Sequence, residues 1–302
     1  MVSSKIQKIL KNPALIFLTL GHRGFFNWMD DKKYLKIAFR IKMGQTLNLE
    51  NPKTFNEKLQ WLKLYDRKPE YTCMVDKYEA KKYVANIIGE EYIIPTLGVW
   101  NSFHDIDFNS LPNQFVLKCT HDSGGLVICR DKAKLDMLKT EATINNSLSN
   151  NFYYSGREWP YKNVKPRIIA EQYMEDNNSN ELTDYKLLCF DGKVKCSFVC
   201  TERFTKGGLK VTFFDRDWKK MPFERHYSAS NKDIPKPYNF EKMIELAETL
   251  SNNIPFVRVD FYETNQHIYF GELTFYPGDG MEEFTPVEWD YTLGSWIKLP
   301  KR

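Results

Sequence analysis

Asp260 and Glu272 are the two side chains whose types and spacing most readily do chemistry. They lie in VRVDFYETNQHIYFGELTFYPGDG, residues 257–280, which reads as a β-hairpin followed by a loop. Side chains alternate along a strand, so Arg258 and Asp260 share one face while Val257, Val259 and Phe261 share the other. A return through Thr264-Asn265-Gln266, centred on Gln266, would set Asp260 opposite Glu272 and Arg258 opposite Thr274. Opposed carboxylates repel each other unless a cation lies between them. Two hard oxygen ligands on rigid strands suit Mg²⁺ delivered with a nucleoside triphosphate. Two further segments fit the same purpose. FVLKCTHDSGG, residues 115–125, carries Lys118 on a strand that enters a loop with paired glycines, through which backbone amides can approach phosphate. IIAEQYM, residues 168–174, is a strand ending at Glu171 before a polar stretch, and such an end can offer backbone groups to an adenine edge. Taken singly, these two also suit an ordinary hairpin turn and an ordinary strand end.

In this order the three segments resemble the TupA-like ATP-grasp family of bacterial cell-surface polysaccharide and teichuronopeptide biosynthesis. The resemblance runs from about Gly44 to Leu299. It includes MGQTLNLENPKTFNEKLQWLKLYDR, VDKYEAKKYV, EEYIIPTLGVW and REWPYKNVKPRIIAEQYM besides the segments above. It implies that Lys118 holds ATP phosphates under a loop of His121, Ser123, Gly124 and Gly125. Glu171, Gln172, Tyr173 and Met174 would form the hinge that reads adenine, with Glu175 or Asp176 at the ribose. Asp184 and Lys186 would face the phosphates, Arg258 would stabilise the transferring phosphoryl group with Lys186, and Asp260, Glu272 and Thr274 would hold Mg²⁺. The sequence departs from the family pattern in two places. Thr274 stands where many ATP-grasp ligases have asparagine, and Thr120 and Asp122 stand where asparagine and glycine are expected. The implied reaction joins a carboxylate to an amine through an acyl phosphate, with ATP and Mg²⁺ as cofactors. Its implied substrates are an amino acid and a uronic acid of a surface polysaccharide or its precursor.

The elements that must position these groups are those of an α+β protein with the ATP-grasp fold. Residues 1–95 read as helical, residues 96–175 as a first lobe with the phosphate loop and hinge, and residues 176–302 as a second lobe with the metal site and acceptor region. Thr54 and Glu57 form a capping box ahead of Leu59, Leu62 and Leu64. Asp76 and Glu79 open a second helix, which Gly89 would end in a left-handed cap. From about residue 113 the period becomes that of strands: QFVLKC, GLVICR, RIIAEQYM, YKLLCFDG and KVKCSFVC, the last two joined by an Asp191-Gly192 turn. One further helix, about 239–252, is expected to take Asn239 as its N-cap.

Composition narrows the field. The 302 residues are 42% hydrophobic and 27% charged, as in an ordinary globular chain. A formal charge of +4 with no obvious basic cluster argues against a nucleic-acid partner. Six cysteines without a CxxC pair suit a reduced, cytoplasmic protein. The apolar run Ala14–Leu20 is far short of the roughly 20 residues that span a bilayer, which leaves only a docked helix or peripheral contact with the inner membrane face. Arg203, Lys206, Lys219 and Arg225 are candidates to meet an acidic polymer. The rival reading is a glycosyltransferase holding a metal on Asp215 and Asp217 of a DxD triplet, and an ATP-dependent kinase would share the nucleotide site. The histidines at 22, 104, 226 and 267 show no partner in the sequence.

Overall fold

The computed structural model describes residues 14–175, 182–203, 205 and 207–301. Helices α1 (Leu15–His22), α2 (Asp31–Met43), α3 (Phe55–Tyr65), α4 (Glu70–Val75) and α5 (Glu79–Ile88) come first. The capping box at α3 forms as read: Thr54 accepts from the Glu57 N–H, and the Glu57 carboxylate accepts from the Thr54 N–H. Asp76 accepts from the N–H groups of Tyr78 and Glu79 at the start of α5. Gly89 after α5 has φ 115° and ψ 150°, an extended glycine conformation and not the expected left-handed cap.

Two antiparallel sheets follow. The smaller has the order β1-β4-β2-β3, from β1 (Thr96–Trp100), β2 (Phe115–Cys119), β3 (Leu126–Cys129) and β4 (Ile168–Gln172). Alternation sends Phe115, Leu117, Cys119, Ile168 and Ala170 into a core shared with Ile144 of helix α6 (Met137–Leu148). Val116, Lys118, Ile169 and Glu171 therefore point the other way. The larger sheet has the order β10-β9-β5-β6-β7, from β5 (Asp184–Phe190), β6 (Lys193–Thr201), β7 (Lys210–Phe214), β9 (Phe256–Thr264) and β10 (His267–Thr274). Its apolar face packs on helix α8 (Phe240–Leu250) and shares a single core with α2 to α5. Phe55 is fully buried at that seam, against Phe190, Phe256 and Phe284.

Three elements escape sequence reading for physical reasons. The buried stripe of α6 is Thr140, Ile144 and Ser147, two of them hydroxyl residues, so no hydrophobic period shows. Helix α9 (Glu288–Trp296) contains Gly294, where any Cβ would strike the backbone of Lys53 to Phe55, so a poor helix former is kept for close packing. The short strand β1 is exposed along half its length. At α8, Asn239 makes no cap; its side chain donates instead to Glu263 and to the Gln266 carbonyl.

Helices and larger sheet share one core, so Phe55→Ala should destabilise the whole by about 3–5 kcal/mol. Helical circular dichroism and tryptophan fluorescence should then move together to lower urea. Separate transitions would show two independent units.

Candidate active site

The polar face of the larger sheet gathers the predicted charged groups on three adjacent strands. Lys186 on β5 lies opposite Asp260 on β9, which lies opposite Glu272 on β10. Arg258 lies opposite Thr274. The expected pairing is therefore present, but its cause differs from the sequence reading. The turn holds two residues, Asn265 and Gln266, at φ 50° and 61°, as a tight hairpin of this twist requires. That turn puts His267 opposite Thr264 and Tyr269 opposite Tyr262, a register that would set Glu272 against Val259 on the apolar face. A bulge at Gly271 adds one residue and returns Glu272 to the polar face. A Cβ at Gly271 would come within 3.1 Å of the Asp260 carbonyl, which explains the glycine.

Charge compensation on this face comes from the protein. Arg258 donates from Nε to Asp260 Oδ1 and from Nη2 to Asp260 Oδ2, each at 2.6 Å, and from Nη2 to Glu272 Oε1 at 2.8 Å. The cation expected between the two carboxylates is thus first of all a guanidinium. Lys186 donates to Asp260 Oδ2 and lies 2.5 Å from Asp184 Oδ2. Burial disfavours a charge on Glu272, but Arg258, Lys186 and Lys77 outweigh it and hold the carboxyl near pH 2. Burial likewise lowers the Lys186 pKa, yet Asp260 and Asp184 raise it overall.

Opposite this face, Lys118 on β2 pairs with Glu171 at 2.5 Å, and Lys81 of α5 reaches the other oxygen of Glu171 at 2.6 Å. Two lysines against one carboxylate leave a positive charge toward the cleft. That cleft, of about 280 Å³, runs between the sheets. It is lined by Lys118, Glu171, Gln172, Tyr173, Met174 and Glu175 on one side and by Asp184, Arg203 and Tyr262 on the other. Leu126 and Ile128 of β3 present exposed apolar surface to it, 49% and 52% accessible, as a flat aromatic base would require. Sequence reading missed these two, although the alternation of GLVICR places them on the face opposite buried Cys129. Thr264 donates to the Glu175 carbonyl at 2.9 Å and so ties the hinge to the larger sheet. Asp176 and Lys206 lie outside the described residues.

Within the 120–125 loop the residues divide. His121 is buried, with Nε2 3.1 Å from the carbonyls of Ser147 and Asn150, so it anchors the loop to the end of α6 and faces away from the cleft. Gly125 has no room for a Cβ against Ser147 and Cys119. Ser123 and Gly124 line a separate cavity with His22, Lys139 and Asn146, and the cleft of Lys118 and Glu171 does not include them. Asp122 turns its carboxylate into its own loop, toward the Gly125 N–H and the Ser147 hydroxyl, which accounts for a negative residue here. Lys77, from the VDKYEAKKYV block, donates to the Asp122 carbonyl, and its backbone N–H donates to the Thr120 carbonyl. Its charge also acts on Glu272. Nothing in the spacing of Lys77 had singled it out.

A second cavity, about 730 Å³, adjoins Arg258, Glu272 and Thr274 and is walled by Leu15, Ile41 and Lys42 of the N-terminal helices. The basic residues expected to meet an acidic polymer do not line it as a group. Arg203 belongs to the cleft between the sheets, Arg225 is buried beside Glu282, and Lys219 sits on a turn with Asp217. The DxD triplet is that turn: Asp215 Oδ1 accepts from the N–H groups of Asp217 and Lys219, so its carboxylate shapes the chain and the glycosyltransferase reading loses its metal site. The remaining histidines do have partners: Ser155 for His22, Glu141 for His104, Glu283 for His226 and the Glu91 carbonyl for His267.

The family model for TupA-like ATPgrasp proteins matches residues 57–298. The chain belongs to the TupA-like ATPgrasp family. Its fold is accordingly the ATP-grasp fold. No curated protein sequence matches the chain. Among solved structures it is similar to D-alanine–D-alanine ligase from Bacillus anthracis complexed with ATP (16% identity, 67% of this chain and 53% of that one, TM-score 0.38). It is also similar to D-alanine–D-alanine ligase from Helicobacter pylori (13% identity, 83% and 68%, TM-score 0.45). A third is L-amino acid ligase from Bacillus licheniformis (11% identity, 84% and 57%, TM-score 0.45). The chain spans little more than half the length of the first of these.

The donor set fits Mg²⁺ shared with a nucleotide. Among the described residues no group of three or more His, Cys, Asp or Glu could hold a metal ion alone. Asp260 and Glu272 supply two hard oxygens, and Mg²⁺ commonly takes one or two carboxylates and completes its shell with phosphate oxygens and water. Asp184 Oδ1 is buried without a hydrogen-bond partner at the same face. Thr274 spends its hydroxyl on Glu272 Oε1, at 3.2 Å, and so steadies that carboxylate.

Because the folded Glu272 carboxyl titrates near 2, against about 4.3 when unfolded, its charge stabilises the fold above pH 4.3. That contribution is lost as pH falls toward 2. Urea unfolding of wild type and Glu272→Gln should differ at pH 5, and the difference should shrink at pH 3. A gap independent of pH would contradict the pairing with Arg258.

Proposed function

We propose that this TupA-like ATPgrasp chain is an ATP- and Mg²⁺-dependent carboxylate–amine ligase. The observation that carries the reading is the convergence of Lys186, Arg258, Asp260 and Glu272 on one face, across a cleft from Lys118 and Glu171. A carboxylate oxygen of the first substrate would attack the γ-phosphorus of ATP, giving an acyl phosphate and ADP. The amine would then form the C–N bond as the C–O bond to phosphate breaks. Several negative groups meet at one centre in this sequence of steps, so positioning and charge neutralisation are the main demands on the protein.

Each demand has a residue. Lys118 and Lys77 bring positive charge to the phosphate side. Glu171 holds Lys118 in place and, through Lys81, links it to α5. Arg258 already spans Asp260 and Glu272 and is placed to meet negative charge on the transferring group. Asp260 and Glu272 would hold Mg²⁺, which lowers the charge on the phosphate oxygens. The loop of Ser123 and Gly124 would exclude water. No nucleophilic side chain is needed.

The finer reading names a uronic acid carboxylate of a bacterial surface polysaccharide, or its precursor, and an amino acid amine. Family membership and a second cavity much larger than one amino acid support it. We place the reaction in the cytoplasm, at the inner face of the membrane. Among the described residues no helix is long and apolar enough to cross a membrane. Phe25 and Trp28, 63% and 79% exposed, support peripheral contact.

The test is ADP release with Mg²⁺, a panel of amino acids and uronic acid oligosaccharides, with products identified by mass. Asp260→Asn, Glu272→Gln and Lys118→Met should each lower turnover by at least about a hundredfold, the scale of lost charge stabilisation in such sites. Asp215→Asn should leave it within twofold. A product carrying a phosphate ester in place of an amide would replace the ligase by a kinase.

A further inference from the structure

The second cavity contains a carboxyl pair that the reaction scheme above does not use. Asp279 sits between Gly278 and Gly280, and all three have positive φ, at 62°, 59° and 58°. Left-handed backbone at a non-glycine residue costs energy and persists only where the surroundings enforce it. Here they do. Lys63 and Gln60 of α3, both fully buried, donate to the Asp279 carbonyl at 2.8 and 2.9 Å. Lys63 also donates to the Gly156 carbonyl at 2.8 Å, and a Cβ at Gly156 would collide with the Asp279 carboxylate. The outcome is that the carboxyls of Asp279 and Glu158 come together over Gly156, where an added Cβ would meet an oxygen of each.

The acids around this cavity are not equally compensated. Glu272 has Arg258 at 2.8 Å, Glu282 has Arg225 at 3.3 Å, and Asp279 has Lys42 at 2.7 Å. Glu158 is 4% exposed, lines the cavity, and forms no ion pair among the described residues. A buried carboxyl without a cation partner is costly as an anion. Burial and Asp279 accordingly push its pKa well up against the opposing charges of Lys63 and Lys42, which also hold Asp279 low despite its own burial. Lys63 and Lys42 act on Glu158 only from beyond ion-pair distance, so a cation arriving in the cavity would be its first contact partner.

We propose that Glu158 and Asp279 form the recognition site for the ammonium group of the amine substrate. This rests on the ligase reading and adds to it a specificity determinant: the amine end is met by carboxyls in the cavity that Arg258 and Glu272 also line, and must give up its proton before it attacks. Lys42, with 28% of its side chain exposed, occupies Asp279 from the rim and competes with the ammonium for it.

Calorimetric titration of the full chain with single L-amino acids, with and without the non-hydrolysable analogue AMPPNP and Mg²⁺, tests this. At least one amino acid should bind, and its Nα-acetyl form at least tenfold more weakly. Glu158→Gln should weaken the amino acid at least tenfold, Glu158→Asp should recover part of the loss, and the nucleotide affinity should stay within twofold. If Glu158→Gln does not fold, Lys42→Met serves instead and should tighten amino acid binding several-fold. Wild-type affinity in Glu158→Gln, equal binding of acetylated forms, or no binding by any amino acid overturns the proposal, as does unchanged or weaker binding in Lys42→Met. Amino acid binding that survives while Mg²⁺-dependent nucleotide uptake is absent would sink the ligase reading alone.

Discussion

Everything in the cleft depends on keeping Arg258, Lys186, Asp260 and Glu272 ionised on one face of a sheet whose other face is core. Removing an ion from water costs several kcal/mol unless partners replace its hydration. The strands supply those partners by register: Lys186 on β5, Asp260 on β9 and Glu272 on β10 stand side by side as base, acid and acid, with Arg258 two residues along β9. Arg258 makes three charged hydrogen bonds, two to Asp260 and one to Glu272. A shift of β9 by one residue would turn Arg258 and Asp260 into the core and expose Val257, Val259 and Phe261.

The N-terminal helices belong to this arrangement and do not form a separate module. Lys77 and Arg167 stitch the start of α5 to the 120–125 loop and to the strand β4 that follows: the Lys77 N–H reaches Thr120, the Thr120 N–H reaches Arg167, and the Arg167 guanidinium reaches Asp76. α3 buries Lys63 and Gln60 to hold the loop around Asp279. α1 and α2 supply Leu15, Ile41 and Lys42 to the cavity wall. The helical region thus couples both sheets and closes the space where a substrate would lie.

The main strands and the polar face of β9 were legible because a two-residue period and short apolar runs are local signals. Other features were hidden because their causes are tertiary. Asp122 and His121 looked like phosphate-loop residues, yet Ser147 and Asn150, some twenty-five residues on, draw both inward. Asp215 looked like half of a metal motif, but its own backbone two and four residues ahead takes the carboxylate. The hairpin is the instructive case. A three-residue turn without a bulge and a two-residue turn with one place Glu272 opposite Asp260 alike, so the facing pair was correct while the assumed turn was not.

The amino-acid order by itself determined which residues could share a strand face, where helices α3 and α5 begin, and which segments in which order mark the TupA-like ATPgrasp family. The first two follow from backbone geometry and side-chain period, which act over a few residues; the third is a resemblance carried by the segments themselves. Tertiary structure alone decided that Glu171 holds two lysines, that Lys77 reaches the 120–125 loop, and that Glu158 meets Asp279 across 121 positions of chain. Such contacts arise from the packing of distant elements around two cores, and no local spacing encodes them.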